Sequence, residues 1–133
     1  MEGESNLKVL LATMQPELNG SEYIFCSLSP EAYAAMPFSP LFTFQEKEGI
    51  SLITTREQAL RNGLPFDTTW AWIELRVHSS LSAVGFIAVI SGRLAQHGIS
   101  LNLVSAYYHD HLFVPWESRW RAMQLLEELS ASN

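Results

Sequence analysis

One cysteine, few basic residues and no long apolar run set the outer limits of this chain. Cys26 has no possible partner within the 133 residues, which excludes an internal disulfide and suits a reducing compartment. Only eight lysines and arginines stand against fourteen acids, and the formal net charge is −6. Lys8, Lys47, Arg56, Arg61, Arg76, Arg93, Arg119 and Arg121 are scattered and form no basic stripe, so nucleic acid is not an expected partner. No apolar run is long enough to span a bilayer, so no membrane partner is expected either. The start, Met1-Glu2-Gly3-Glu4-Ser5-Asn6, is acidic and lacks the apolar core of a signal peptide, so a cytoplasmic location is expected. The chain also lacks a Gly-x-Ser-x-Gly elbow, a phosphate loop, and a nucleophile beside a paired acid and base. It therefore reads as non-catalytic, with no cofactor implied.

What is present is an ordinary globular composition, 47% hydrophobic and 17% charged, long enough for one domain or two small ones sharing a core. Leu7–Thr13 is a short apolar run and reads as a strand. Pro16 and Asn19-Gly20 are turn signals, and Glu22–Leu28 reads as a second strand. Ser29-Pro30-Glu31 opens a helix: a capping serine, a proline at the first helical position, an acid in the first turn. Pro37 and Pro40 keep that helix short, stopping it near Met36. Leu41–Gln45 and Ile50–Ile53 flank Glu46-Lys47-Glu48-Gly49 in a hairpin pattern. Thr55 and Gln58 form a capping box for a helix to Arg61, closed by Asn62-Gly63. The turn-rich stretch Leu64–Thr69 is the candidate boundary between halves spanning residues 1–64 and 65–133.

The second half is the more informative. It reads as a strand (Ile73–His78), a tight loop (Ser79–Ala83), an apolar helix (Val84–His97), a strand (Ile99–Tyr107), a turn, and a strand (His111–Val114). A last helix runs from Trp116 to Leu129, with Ala122, Met123, Leu126 and Leu129 at helical spacing, and Ser130–Asn133 should fray. The apolar helix is greasy over more than half its circumference, so it should pack on more than one side. Its start carries the chemistry. The first amides of a helix are unpaired and lie at the positive end of the helix dipole. Gly85 in the first turn leaves room for close approach, so the amides of Val84, Gly85 and Phe86 could cradle a carboxylate.

Each candidate has a plainer explanation beside it. Ser79, Ser80 and Ser82 could touch a ligand, or simply cap the helix. His109-Asp110-His111 offers two imidazoles and one carboxylate, too few for a zinc site, so no metal is expected. Asp110 could shape a turn while the histidines hydrogen-bond; alternatively Asp110 or His111 faces a ligand's ammonium group. Tyr107, Tyr108 and the four tryptophans read as packing residues, although Trp116 and Trp120 could sit in a subunit contact. Cys26 in its apolar strand reads as buried and inert.

The strand Ala71–His78, the loop HSSLSAVG, the helix end RLAQHGISLNLV and the segment YYHDHLFVP together resemble the ACT domain, a regulatory fold of βαββαβ order. The pieces VHSSL…VG and HDHLFV are similar to a bacterial subgroup with two ACT-like halves, and to the ACT-type modules of the CASTOR arginine sensors. The resemblance implies an α+β fold class: two ferredoxin-like halves with antiparallel sheets and helices on one face. Val84 stands where many ACT domains have proline, and the closing strand expected after the last helix is missing. Exchange between halves would repair that, with Leu7–Thr13 pairing into the second sheet and Trp70–Val77 serving both halves; a bare edge would invite other chains. The resemblance also implies a small amino-acid-like ligand held between the halves near Ser79, Ser80, Leu81, Val84, Gly85, Phe86, Asp110 and His111. A homo-oligomer and a separate regulatory partner protein follow as expectations. The alternative is a structural interaction module that assembles chains and binds no ligand.

Overall fold

The computed structural model describes residues 3–133; Met1 and Glu2, where the acidic N-terminal reading began, lie outside the described residues. The chain divides into two units. The larger contains residues 1–20 and 71–133, the smaller residues 21–70.

The larger unit starts with a helix, α1 (Leu7–Ala12), where the sequence suggested a strand. Leu7, Leu10, Leu11 and Met14 recur at helical spacing, and Asn6 caps the start by accepting a hydrogen bond from the Val9 amide at 3.1 Å. The segment therefore cannot complete a sheet. Strand β1 (Pro16–Leu28) does so instead: its first five residues belong to the larger unit, where β1 lies beside β4 (Trp70–Leu75). The Arg76 and Val77 amides extend that pairing to the carbonyls of Gln15 and Met14. Asn19-Gly20, read as a turn, lies inside this strand. Sheet pairing overrides local turn preference there, and Gly20 marks where the strand leaves one unit for the other.

After β4 come α4 (Phe86–Gln96), β5 (Asn102–Ser105), β6 (Asp110–Pro115), a 3-10 turn at Trp116–Ser118, and α5 (Arg119–Ala131). Strand order in this unit is β1-β4-β6-β5. Strands β5 and β6 form an antiparallel hairpin that sets Ser105 opposite Asp110. Alternation along the strands sends Ala71, Ile73, Leu75, Leu112 and Val114 to the helix-covered face. There they meet Leu10, Met14, Phe86, Ile90, Leu94, Leu125 and Leu126 in one apolar core. Helix α4 packs against α1 and α5, which gives its broad apolar surface more than one neighbour. It begins two residues later than the sequence suggested, and Val84 stands outside it, 84% exposed. The C-terminus does not fray at Ser130: α5 continues to Ala131, and the Ser130 hydroxyl donates to the Ala12 carbonyl at 3.1 Å.

The smaller unit holds the rest of β1, then α2 (Pro30–Ala34), β2 (Phe42–Gln45), β3 (Ile50–Thr55) and α3 (Arg56–Arg61). Its strands are ordered β2-β3-β1 and are antiparallel. Ser29 and Thr55 cap the two helices by accepting from the Ala32 and Gln58 amides. Ile24, Leu52, Ala59 and Leu64 are buried at its centre, with Tyr33, Met36, Phe38 and Phe66 packed around them. Cys26 packs against this cluster rather than lying fully buried. Burial still pushes its thiol pKa up, which keeps it protonated and unreactive.

Candidate functional site

The loop between β4 and α4 is held from outside by the N-terminal segment. The Glu4 amide donates to the His78 carbonyl at 2.8 Å, and the Ser80 amide donates to the Glu4 carbonyl at 2.7 Å. Gly3 lies so close that a Cβ there would come within 2.6 Å of the His78 carbonyl oxygen. This clamp fixes Ser79 and Ser80. The Ser79 hydroxyl then donates to Asp110 Oδ2 at 2.8 Å, while Ser80 Oγ accepts from the Ser82 amide within the loop.

The loop ends at Gly85, whose φ of +91° turns the chain into α4. That left-handed conformation strains any residue with a Cβ. Glycine has no side chain to offer as a cap, and among the described residues no side chain makes a capping hydrogen bond at the helix start. The first-turn residues Phe86, Ile87 and Ala88 line a cavity of about 130 Å³. Asp110, only 4% exposed, lines it too, with Ser79 as the one hydrogen-bond donor to its carboxylate among the described residues. A carboxylate removed from water requires compensating donors or positive charge. The lining of one cavity therefore includes both a positive helix end and a buried carboxylate.

Of the residues chosen from sequence, the fold brings Ser79, Ser80, Leu81, Gly85, Phe86 and Asp110 to this cavity. It leaves out Val84, which points to solvent, and His111. Alternation along β6 sends His111 to the opposite sheet face from Asp110. There its Nδ1 accepts the Trp72 indole N–H at 3.1 Å, which places any proton of the neutral ring on Nε2. Burial lowers the His111 pKa. Glu74 and Asp110 work against that shift, while His109 and Arg76 add to it. His109 and His111 both lie within 4 Å of Glu74, which also pairs with Arg76. Even so, no group of three or more His, Cys, Asp or Glu side chains among the described residues is placed to hold a metal. Ser105 lines the cavity but was not singled out from sequence. Its signal lies in the β5–β6 register, which sets it opposite Asp110.

Family comparison agrees with this architecture. Models of the ACT domain match residues 2–71 and residues 67–128. A Vibrio cholerae protein of unknown function, described as a possible transport protein, is 42% identical. The match covers 90% of this chain and 92% of that one, with a TM-score of 0.78.

The chain belongs to the ACT-domain family.

It carries two ACT halves in tandem, and ACT domains are regulatory modules. The same fold recurs in the regulatory subunit of aspartate kinase from Thermus flavus, at 9% identity and a TM-score of 0.67, covering 89% of this chain and 98% of that one. It recurs also in a protein from Agrobacterium tumefaciens, at 19% identity and a TM-score of 0.62, covering 86% and 87%. No curated protein matches the chain. Among the described residues, no helix is long and apolar enough to cross a membrane.

Proposed function

We propose that this tandem ACT protein is a non-catalytic sensor, and that the cavity at the start of α4 binds a small amino-acid-like zwitterion. The observation that carries this reading is the pairing of opposite charge preferences across one small space. The ligand carboxylate sits at the uncapped amides of Phe86, Ile87 and Ala88, and its ammonium group sits at Asp110. Neither wall needs a group from solvent once both ends are engaged. The volume, about 130 Å³, corresponds to roughly four waters at about 30 Å³ each and favours a short side chain. Binding would hold the loop 79–85 in one arrangement, and a ligand that favours one arrangement shifts the population toward it. The output passes to a separate protein or to an assembly of copies. The unpaired Cys26 fits a cytoplasmic setting for this role.

The test is a thermal-shift screen of the common amino acids. A ligand that binds only the folded form stabilises it by about 2.7 kcal/mol at 100 times its Kd, so Tm must rise. Asp110→Asn should abolish the rise while the protein stays folded, and Gly85→Val, which cannot hold the left-handed turn, should abolish it by displacing the helix start. Analogues lacking either the carboxylate or the amino group should fail separately. No response to any amino acid at millimolar concentration would overturn the proposal.

A further inference from the structure

Residues 3–7 touch both ends of the loop that carries the cavity, yet none of them lines it. At the first end Glu4 lies beside Ser79 as in a parallel sheet, with its amide and its carbonyl both engaged by the loop backbone. Gly3 packs on the same stretch so tightly that a Cβ would also meet the Ser79 carbonyl carbon at 2.6 Å. At the far end the Leu7 side chain lies 3.6 Å from where a Cβ would stand on Gly85. The segment then feeds into α1. Glu4 Oε2 accepts from the Ser5 and Asn6 amides, each at 3.0 Å, Asn6 caps the helix, and α1 packs on α4 and α5. Residues 3–6 are thus anchored firmly at one end only. Glu4, Ser5 and Asn6 are exposed, and a contact that buries so little apolar surface opens at a free energy well below that of the whole fold.

We propose that residues 3–6 are a releasable latch that sets the affinity of the α4 cavity, with Gly3 and Glu4 as positioning residues that never touch the ligand. The proposal rests on the ligand reading above. With the latch closed, Ser79 is held where its hydroxyl reaches Asp110, and Ser80 where its Oγ takes the Ser82 amide. The loop then presents Asp110 and the Gly85 turn together. With the latch open, the loop gains conformational freedom that binding must remove again. Apparent affinity therefore scales with the fraction of molecules whose latch is closed. The coupling is reciprocal: a ligand in the cavity tightens the latch, and anything that draws the segment before α1 away from the loop releases the ligand. The occupancy of the cavity becomes readable at a segment outside it.

Amide hydrogen exchange and thermal shifts on the full chain, with glycine, alanine and serine as probes, test this. Without a probe, the Glu4 and Ser80 amides should share one protection factor, lower than that of Leu94 within α4. Gly3→Ala should cut the protection of Ser80 about tenfold, with Leu94 and the far-UV spectrum unchanged. Gly20→Ala adds the same methyl group in open space and should leave Ser80 as it was. Alanine should raise the protection of the Glu4 amide, a group outside the cavity lining. The alanine concentration that gives half the Tm rise should increase about tenfold in Gly3→Ala. Unchanged Ser80 protection in that variant would overturn the proposal regardless of the ligand result. An unchanged alanine midpoint would also overturn it, and would leave the ligand reading intact. If wild type responds to none of the three probes while Ser80 protection falls as expected, the ligand reading is what fails, and the coupling fails with it.

Discussion

In the smaller unit β1 enters α2 directly through Ser29 and Pro30; in the larger unit β4 enters α4 only after residues 76–85. Ser29 satisfies a first-turn amide of α2 with its own hydroxyl, and proline at the first position has no amide to leave open. At the matching junction of the larger unit, Gly85 supplies a turn and nothing else, so the helix start faces a cavity. The cores differ in the same direction. Around α4, buried side chains from the sheet and three helices form one large cluster, while the smaller unit buries four residues at its centre behind partly exposed aromatics. A ligand site demands unsatisfied groups, which cost stability. On the proposed reading, the unit that leaves them open is the one with the larger core to offset that cost. Under that reading, two halves of one architecture need not both carry a site: one serine at a helix start can close it.

The strongest test of this contrast is in the cores. Leu94→Ala removes a fully buried side chain of the larger unit, and a loss toward the upper end of about 2–5 kcal/mol is expected in urea unfolding. Leu52→Ala in the smaller unit should cost nearer the lower end, because its partly exposed neighbours can relax into the gap. Equal losses would erase the distinction between the cores. Next in size is the cap. Ser29→Ala should lower stability by about 1 kcal/mol without creating an amino-acid response, since Pro30 still withholds an amide. If that variant gained a ligand-induced Tm shift, the closing of the smaller unit's helix start would have a simpler cause than proposed here.

The smallest expected effect is a pH dependence from His111. Its folded pKa lies below the ordinary 6.5, chiefly through burial. Below pH 6.5 the unfolded chain takes up a proton that the folded chain resists, so stability falls as the pH drops from 6.5 toward the folded pKa. Above 6.5 both states are neutral and the contribution is flat. Unfolding curves at successive pH values should show this slope, and His111→Gln, which keeps an acceptor for Trp72, should reduce it. An unchanged slope would assign the dependence to other groups.

Much of the larger unit was legible before folding. The loop at Ser79–Ser80, the glycine and the apolar helix followed from turn chemistry, capping rules and helical periodicity, and the Ser29 and Thr55 caps were visible as local signatures. Leu7–Thr13 was misread because a short apolar run fits strand and helix alike; the Asn6 cap and packing against α4 and α5 decide for helix. Asp110 was legible as a polar residue near a turn but not as a buried carboxylate, because its burial depends on which sheet face the helices cover.

The sequence alone determined the helix caps at Ser29 and Thr55 and the apolar stripes of the last two helices, since these depend on neighbours within about four residues. Only the tertiary structure decided that Asp110 faces the cavity while His111 faces away, that Ser105 stands opposite Asp110, and that β1 serves both units. Those facts rest on strand register, and a shift of one residue would reverse every side chain on the strand.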